Sequence, residues 1–516
     1  MSTAIVSSAS QPGFVSGDAF YPRSQILTTA ARAASGFASM GVGDGDAVAF
    51  LMRNDVPILE LTIGAGLLGA VTVPINWHFK GAEVEYILSD SGASVLVVHA
   101  DLVGPIRDAI PTAVQVIVVD TPEHIGRAYG VVDDCRLASQ GDVRWLDWIG
   151  AHEPWDGPTQ DAPTSLIYTS GTTGRPKGVR RQALTPEQRA GFASVAGQTL
   201  GLTEGSRTII TAPMYHSAPN ATAMFALKSG STAVLQSRFD AEDLLRLIDR
   251  HAITAVQLVP TMFVQLLNLP EETRLRYDLS TLAHVVHTAA PCPPDVKRRM
   301  IDWWGPVIYE FYGSTETGVV TFCSSEEWLA HPGTVGRPVD GATVKILDPD
   351  GNEVPAGDVG DIYSRLHAIS EFTYHGGAVT PDQVDSLVPS GDVGYVDQDG
   401  FLFVCDRKVD LVIFGGTNVY PAEIESVLGG MPDVADCAVF GVPDDRLGEV
   451  LAAVIQLTPE SSAGPEDIKA FLRQHIADFK IPKIIEFRAE LPREDSGKIF
   501  KRRLRDAYWQ GRGRTI

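Results

Sequence analysis

Short runs of apolar and β-branched residues alternate with amphipathic helical patterns along most of the chain. The runs include "ASVLVVH", "VQVIVVD", "TAVLQ", "ITAVQLV" and "PVIYEFY", and the helical patterns include "DAEDLLRLIDRH" and "PTMFVQLLNLP". This alternation is typical of parallel strands that are joined by crossover helices. The sequence therefore predicts an α/β fold.

The C-terminal part repeats the alternation on a smaller scale. There "DCAVFGVP", "EVLAAVIQL", "PEDIKAFLRQHIADF" and "KIIEF" predict a separate compact α+β unit. Ahead of it we expect a helix that begins at Pro421 and ends at Gly429 and Gly430, following helix-end preferences. The apolar stretch Leu61–Ile75 is shorter than a membrane span and contains Pro74, so it predicts a buried helix running into a strand.

Charge and cysteine content limit the function classes. The chain has 516 residues, with 64 Asp and Glu against 42 Lys and Arg, a net charge of -22 and a pI of about 4.9. Such a surface repels nucleic acids and anionic membranes, so we expect no nucleic-acid partner and no membrane span. Five scattered cysteines without CxxC spacing argue against disulfides and structural zinc. No cation precedes Arg23 and no compact apolar block is present there, so we expect no secretory signal and a cytoplasmic location.

The stretch "YTSGTTGRPKGVRR" combines hydroxyl groups, glycines and cations directly after an apolar pair. It fails the Walker-type phosphate motif, because Pro176 replaces the second glycine and Gly178 replaces the final Ser or Thr. What is left is a donor-rich loop that suits phosphate oxygens. Its candidate residues are Thr169, Ser170, Gly171, Thr172, Thr173, Gly174 and Lys177. A solvated Ser/Gly turn is the alternative for this stretch alone.

Several motifs, in this order, resemble those of the acyl-adenylate-forming enzymes, which include acyl-CoA synthetases, coumarate:CoA ligases, firefly luciferases and peptide-synthetase adenylation domains. "YTSGTTGRPKGV" is similar to their phosphate loop, and "YGSTETG" at 312–318 to their nucleotide and magnesium motif. "GTVGRP" at 333–338, "SGDVGYVDQDGFLFVCDR" at 390–407 and "LPREDSGKIFKRRLR" at 491–505 resemble the later signatures, up to the terminal lysine motif. Each motif is weak alone, but their joint order is specific.

The resemblance implies two domains with an active site between them. A large multi-subdomain N-terminal α/β domain would span residues 1–406, and a small mobile α+β domain would span 407–516, with a hinge near 407–410. The family usually has Asp or Lys at the pivot, where this sequence has Val409. A β-branched apolar pivot is stiff and lacks a polar head. This departure predicts competent adenylation with comparatively slow thioester formation, unless Val409 is merely a tolerated loop substitution.

The implied enzyme is an AMP-forming acid–thiol ligase. It would join a carboxylic acid to the α-phosphate of ATP with release of pyrophosphate, and then transfer the acyl group to CoA. Oxide is a poor leaving group, so the acid needs this activation, and the protein supplies positioning and charge neutralisation. ATP, Mg²⁺ and coenzyme A are the implied cofactors.

The resemblance also implies a role for individual residues. Thr169, Ser170, Thr172 and Lys177 would surround the β- and γ-phosphates, Thr315 the α-phosphate, and Glu316 would hold Mg²⁺. The adenosine would be held by Ala289, Ala290, Pro291, Glu310, Phe311, Tyr312, Gly313, Ser314 and Asp392, with help from Arg407. Lys498 would reach the oxygens of the forming bond, and Gly415 and Gly416 would admit CoA. Asp392 suits a ribose on chemical grounds too, because one carboxylate can accept from both hydroxyls.

The acid itself is less visible in the sequence. By motif position, His216 would lie between the acyl group and the thiol tunnel, with Ala289, Gly313 and Ser314 leaving room for a bulky group. An apolar pocket with few polar groups fits a fatty, alicyclic or aryl acid. A core histidine is the alternative for His216.

Other interpretations stay open at this point. Glu316, Asp392 and Lys498 taken singly are also compatible with a loop acid, a turn residue and a surface lysine. The chain could deliver its adenylate to a carrier protein, or be a catalytically idle nucleotide-binding protein; luciferase-type oxidation is a third possibility. We interpret "KRRLR" from Lys501 as an exposed helix face rather than a nucleic-acid patch. The oligomeric state, monomer or homodimer, is open.

Overall fold

The computed structural model describes residues 11–161, 163, 165–169, 176–375, 383–408, 410–414, 417–444, 448–493 and 499–509. The chain forms two compact units. Unit 1 comprises Met1–Gln257, Pro270–Val286 and His367–Thr380, and unit 2 comprises Leu258–Leu269, His287–Leu366 and Pro381–Ile516.

Strands and helices alternate through most of the chain up to residue 304, as the sequence pattern predicts, whereas from residue 308 to residue 419 most strands follow one another directly. The strands are β1 (Gly13–Ser16), β2 (Ala19–Pro22), β3 (Ala47–Leu51), β4 (Val71–Pro74), β5 (Val95–His99), β6 (Gln115–Val119), β7 (Val143–Arg144), β8 (Ile167–Thr169), β9 (Lys177–Arg181), β10 (Arg207–Ile210), β11 (Thr232–Leu235), β12 (Ala255–Leu258), β13 (His284–His287), β14 (Ile308–Ser314), β15 (Gly318–Cys323), β16 (Arg337–Pro338), β17 (Ala342–Leu347), β18 (Gly360–Leu366), β19 (Phe372–Tyr374), β20 (Val388–Val396), β21 (Leu402–Arg407), β22 (Val412–Phe414), β23 (Thr417–Val419), β24 (Val434–Asp444), β25 (Gly448–Leu457) and β26 (Ile484–Phe487). The helices are α1 (Arg23–Ser39), α2 (Pro57–Leu67), α3 (Gly81–Ser91), α4 (Ala100–Val103), α5 (Glu123–Tyr129), α6 (Trp145–Gly150), α7 (Pro186–Leu200), α8 (Ser217–Ser229), α9 (Ala241–His251), α10 (Pro260–Leu267), α11 (Glu271–Arg274), α12 (Pro294–Trp304), α13 (Ser325–Ala330), α14 (Pro421–Leu428), α15 (Pro465–Arg473) and α16 (Lys501–Trp509).

Unit 1 contains a five-stranded parallel sheet in the order β4, β3, β5, β6, β7. Its central strands are buried on both faces, which is why they appear as continuous apolar runs in the sequence. Val48 and Phe50 of β3 enter one hydrophobic core, whereas Ala49 and Leu51 enter another. The stretch Leu61–Ile75 continues α2 and runs into β4, as predicted.

Two further sheet segments complete unit 1. Strands β12, β10, β11 and β1 pair in parallel, and β2 adds an antiparallel edge. Strands β8 and β9 form an antiparallel pair that β19 extends. The donor-rich stretch begins in β8 and ends in β9, and residues 170–175 between them lie outside the described residues.

Unit 2 is dominated by antiparallel strands. Strands β14 and β15 form a hairpin to which β16 is added, and β17, β18, β20 and β21 form a second sheet in that order. Helix α12 begins with Pro294 at its first position, where a missing N–H costs nothing.

The C-terminal part of unit 2 is the small α+β arrangement that the sequence predicts. Strands β24 and β25 pair antiparallel, and β26 pairs in parallel with β25. Val439 and Phe440 of β24 face two different cores, and the second core contains Leu504 of α16. Helix α14 begins at Pro421 and ends at Leu428, directly before the two glycines, which confirms the predicted bounds.

Helix α16 carries the "KRRLR" cluster, and its residues differ in exposure. Arg502 and Arg503 are exposed and Leu504 is buried, as expected for an exposed helix face. Lys501 departs from that prediction, because its ammonium group lies 2.8 Å from the Glu425 carboxylate. Helix α15 ends at Arg473 and is shorter than its pattern suggests. None of the helices in the described ranges is both long and apolar enough to cross a membrane.

Candidate active site

The connection between β14 and β15 is a tightly hydrogen-bonded turn. The Ser314 hydroxyl accepts from the backbone N–H groups of Glu316 and Thr317, at 3.2 and 3.0 Å. The Thr317 hydroxyl accepts from the Ser314 N–H at 3.1 Å, and Thr317 is buried. Thr315 and Glu316 are therefore presented on a backbone that their neighbours hold in one conformation. Thr317 was not predicted, although its Ser-x-x-Thr spacing is typical of such a turn.

Gly313 is required by this hairpin. A β-carbon at this position would overlap the carbonyl oxygen of Gly318 on the facing strand. Gly318 itself has φ of +74°, a conformation that glycine adopts without strain. The structure thus gives Gly313 a backbone role in addition to the predicted role of leaving room for the acyl group.

Tyr312 and Asp392 meet across unit 2. The Tyr312 hydroxyl donates to the Asp392 carboxylate at 2.5 Å, and the Asp392 N–H donates to the Ser390 hydroxyl at 3.1 Å. Burial, followed by the nearby carboxylate, raises the pKa of Tyr312 well above its usual value. Tyr312 therefore stays protonated and serves as a donor to one oxygen of Asp392.

Arg407 lies next to this pair. Strands β20 and β21 place Asp392 directly opposite Arg407, and the Arg407 Nε is 3.9 Å from Asp392 Oδ1. The Arg407 side chain is 55% exposed, whereas that of Asp392 is 17% exposed. The structure thus brings three of the predicted nucleotide residues together, with a partly buried carboxylate next to an accessible cation.

The Glu310 side chain points into the interior of unit 2. Its carboxylate accepts from the Lys297 ammonium at 2.6 Å, and both side chains are buried. Any contact of Glu310 with a nucleotide would therefore come from its backbone. The sequence motifs assign no role to Lys297. The sequence does contain a signal for the burial of Lys297, because it lies three and four residues before the buried Met300 and Ile301 on one helix face.

The stretch Ala289–Pro291 follows β13 and is partly exposed. Ala289 has φ of +74°, in the left-handed region that non-glycine residues rarely adopt. Such conformations persist where the surroundings impose them and are enriched at ligand sites. The left-handed backbone at Ala289 is consistent with the predicted contact between this stretch and adenine.

Lys177 and His216 belong to unit 1. The Lys177 ammonium lies 5.3 Å from the centre of the Tyr374 ring, within range of a cation–π contact. His216 directly precedes α8, and its ring centre lies 4.4 Å from that of Tyr215. Both residues are partly buried.

Several predicted residues lie outside the described residues. These are Ser170, Gly171, Thr172, Thr173, Gly174, Val409, Gly415, Gly416 and Lys498. For Thr169 only the backbone, in β8, is described. The roles of these residues stay predictions.

Comparison with known proteins identifies the class. Residues 14–371 match the AMP-binding enzyme family, and residues 423–498 match the AMP-binding enzyme C-terminal domain. A fatty acid–[acyl-carrier-protein] ligase, ScoC of Streptomyces coeruleorubidus, is 32% identical over 95% of this chain and 92% of its own length. A feruloyl-CoA synthase of Amycolatopsis sp is 34% identical over 94% of this chain and 93% of its own. The structure of o-succinylbenzoate CoA synthetase (MenE) from Bacillus subtilis, bound to its acyl-adenylate, matches with a TM-score of 0.79 and 26% identity over 96% of this chain and 95% of that chain.

These matches define an ATP-dependent enzyme that activates a carboxylate as its adenylate. The chain belongs to the AMP-binding enzyme family, the acyl-adenylate-forming enzymes. The predicted family, the α/β fold class and the class of AMP-forming acid–thiol ligase are confirmed. ATP and Mg²⁺ are the cofactors of such an enzyme, and the idle nucleotide-binding alternative loses its support.

Proposed function

We propose that the chain converts a hydrophobic carboxylic acid, fatty, alicyclic or aryl, into an acyl-adenylate and then into a CoA thioester. The observation that carries this proposal is the cluster of Tyr312, Asp392 and Arg407 in unit 2. A carboxylate flanked by a neutral phenol and a cation suits a ribose diol beside a phosphate. Relatives named for feruloyl and fatty acids support the choice of a hydrophobic acid.

The nucleotide contacts follow from this arrangement. Asp392 would accept from the ribose hydroxyls while Tyr312 holds its other oxygen, and Arg407 would add positive charge. Adenine would lie against the backbone of Ala289–Pro291 and Glu310–Tyr312. The loop 169–174 and Lys177 would supply donors to the β- and γ-phosphates.

The β14–β15 turn fits a magnesium ion on chemical grounds. Mg²⁺ is usually held by one or two carboxylates together with substrate phosphates. Glu316 offers one carboxylate on a fixed turn, beside the Thr315 hydroxyl, so the donor set suits the ion. When bound, the ion would neutralise phosphate charge. Thr315 would donate to the α-phosphate.

The reaction would proceed in two half-reactions, adenylation and acyl transfer. The acid's carboxylate oxygen attacks the α-phosphorus, the bond from that phosphorus to the β-phosphate oxygen breaks, and pyrophosphate leaves. Lys498 would neutralise the charge that develops on the transferring oxygens. A thiolate then attacks the acyl carbon, the carbon–oxygen bond to phosphate breaks, and AMP leaves. His216 would border the acyl group, with Ala289, Gly313 and Ser314.

The domain arrangement is part of the proposal. Residues 1–406 would form the adenylation domain and residues 407–516 the mobile domain, with Val409 as the pivot and Gly415 and Gly416 facing the incoming thiol. The scattered cysteines support a reducing, cytoplasmic setting.

The thiol acceptor has one serious alternative. The relative ScoC is named as a ligase that loads an acyl-carrier protein, so transfer to a carrier is a second candidate function. Acid-dependent AMP release, measured with CoA and separately with a phosphopantetheinylated carrier protein, tests the choice. Release with CoA alone supports the proposal. Release only with the carrier protein would mean that the carrier, and not CoA, is the acceptor. No release with CoA or with the carrier would contradict both candidate functions.

A further inference from the structure

A buried ion pair lies behind the strand that leads into the candidate site. The Lys297 ammonium of α12 donates to the Glu310 carboxylate of β14 at 2.6 Å, and the side chains are 0% and 8% exposed. The Lys297 ammonium also lies 5.1 Å from the centre of the Trp328 ring. Removing two charges from water is costly unless each has a well-placed partner. Loss of either side chain would therefore leave a buried charge without compensation.

The titratable groups around the pair are held neutral. His287 of β13 has its Nε2 3.4 Å from the Glu310 carboxylate, and burial, with the help of Lys297, lowers its pKa well below the usual value. Burial raises the pKa of the Cys292 thiol, and burial also raises that of the Cys323 thiol. Lys297 and Glu310 therefore compensate each other, because these three neighbours carry no charge that could replace either partner.

Other charged groups near the pair act at a greater distance. The charge of Glu327 on α13 adds to the rise in the pKa of the Cys323 thiol. Arg298 lies on the same helix as Lys297, and its guanidinium is 5.6 Å from the centre of the Trp328 ring. Burial also raises the pKa of Glu310, and Lys297 opposes that shift. The charge of Glu310 thus depends on Lys297 more than on these outer groups.

The pair acts on β14. Glu310, Tyr312 and Ser314 all lie on β14, and the pairing of β14 with β15 shifts register between Tyr312 and Gly313. Each has a partner: the Lys297 ammonium donates to Glu310, the Tyr312 hydroxyl donates to Asp392, and the Ser314 backbone N–H donates to the Thr317 hydroxyl. The ionic attachment is buried and holds β14 from the side of α12, in addition to the ladder with β15, and Tyr312 lies two residues further along the same strand.

We propose that Lys297 is a positioning residue for adenylation, holding β14 through Glu310 so that Tyr312 and the Thr315–Glu316 turn face the nucleotide. This inference rests on the proposed function of those residues. Lys297 and the Glu310 carboxylate do not contact ATP themselves. Their loss acts by leaving a buried charge unpaired, and the resulting displacement of β14 reaches the nucleotide through the strand.

The two single variants should respond to pH in opposite directions. In Lys297→Met the unpaired Glu310 is tolerated only when protonated, so adenylation relative to wild type falls as pH rises. In Glu310→Gln the unpaired ammonium is tolerated only when neutral, so relative adenylation rises with pH. Over about pH 6 to 9 we expect each single variant to change by about tenfold relative to wild type. The double variant Lys297→Met/Glu310→Gln, with no buried charge, should lack both slopes and exceed Lys297→Met at high pH.

The measurement is acid-dependent ATP–pyrophosphate exchange at a temperature where every variant is folded, with the KM for ATP determined at each pH. The slopes should appear in that KM, which a merely structural pair would leave unchanged. Arg299→Met, which breaks an exposed ion pair with Asp295 on the same helix, is the matched control and should show no slope. Flat ratios for both single variants, or parallel slopes, would overturn the inference.

Failure of the proposed function and failure of this inference give different results. Absence of exchange in the wild type would count against the proposed function. The inference would then be decided by the ATP-induced shift in melting temperature, which should show the same opposite slopes; equal shifts in all variants would overturn it.

Discussion

At the scale of single residues, the Tyr312–Asp392 contact would prepare the proposed ribose site. A carboxylate that already accepts one strong hydrogen bond has one oxygen fixed in direction before any ligand arrives. Preorganisation of this kind lowers the cost of binding, because the side chain does not need to be ordered afterwards.

Replacing Tyr312 by Phe should weaken nucleotide binding without unfolding the protein. The change removes the donor to Asp392 and keeps the ring, which packs against the core cluster of Ile346, Ile362 and Leu402. A hydrogen bond to a charged group contributes about 1.5–3 kcal/mol, so we expect the KM for ATP to rise by about tenfold or more. Steady-state kinetics with ATP varied measures this.

The control for this variant is Tyr395→Phe on the neighbouring part of β20. Tyr395 stacks on Phe403, with ring centres 4.8 Å apart, and it has no predicted part in the site. Its KM for ATP should stay close to wild type. An equal rise in both variants would mean that the Asp392 contact has no special role.

At the scale of elements, the β14–β15 hairpin is closely packed and leaves little room for substitution at Gly313. Gly313 faces the Gly318 carbonyl, and the Ser314 hydroxyl holds the turn from within. The strand backbone and the turn that carries Thr315 and Glu316 are therefore parts of one structure, and a substitution in the strand should displace the turn.

Gly313→Ala separates the two explanations for this glycine. The added carbon would collide with backbone, so the hairpin must shift and adenylation should fall by at least about tenfold with every acid tested. Pyrophosphate exchange over a panel of acids of different size measures this. If small acids are activated normally and only bulky ones are lost, room for the acyl group is the better explanation. Gly104→Ala, where a side chain meets open space, is the control.

Periodicity and helix-end residues predicted about a third of the elements. The bounds of α14 follow from Pro421 and the glycines, and the parallel sheet follows from its continuous apolar strands. Motif order predicted the family, and the ribose role that it implies for Asp392 stays a prediction. The buried pair of Lys297 and Glu310 was not predicted, because each residue type is usually exposed and their meeting depends on how α12 packs on β14.

At the scale of the whole molecule, the reaction requires two chemical steps with different acceptors. In the proposed account one mobile domain serves both, and residue 409 is its pivot. The populations of the two arrangements depend on their free-energy difference, and the rate of exchange depends on the barrier between them. A stiff apolar pivot acts on the exchange rather than on the chemistry of either step.

Val409→Asp and Val409→Lys should therefore change one half-reaction. We expect acyl transfer to become faster, with little change in pyrophosphate exchange, because these side chains provide the polar pivot that the family usually has. Quenched-flow measurement of the two half-reactions tests this. If wild-type transfer already outpaces adenylation, and neither substitution alters it, Val409 is a tolerated loop residue.

The central claim is that this chain forms an acyl-adenylate, and acid-dependent ATP–pyrophosphate exchange tests it most directly. We predict exchange with at least one fatty, alicyclic or aryl acid, no exchange without acid, and a loss of about a hundredfold or more in Lys498→Ala. The same variant should still transfer the acyl group from supplied acyl-AMP, because its charge is needed where negative charge develops on phosphorus. Exchange that is independent of acid, or absent with every acid in the panel while ATP still binds, would contradict the account.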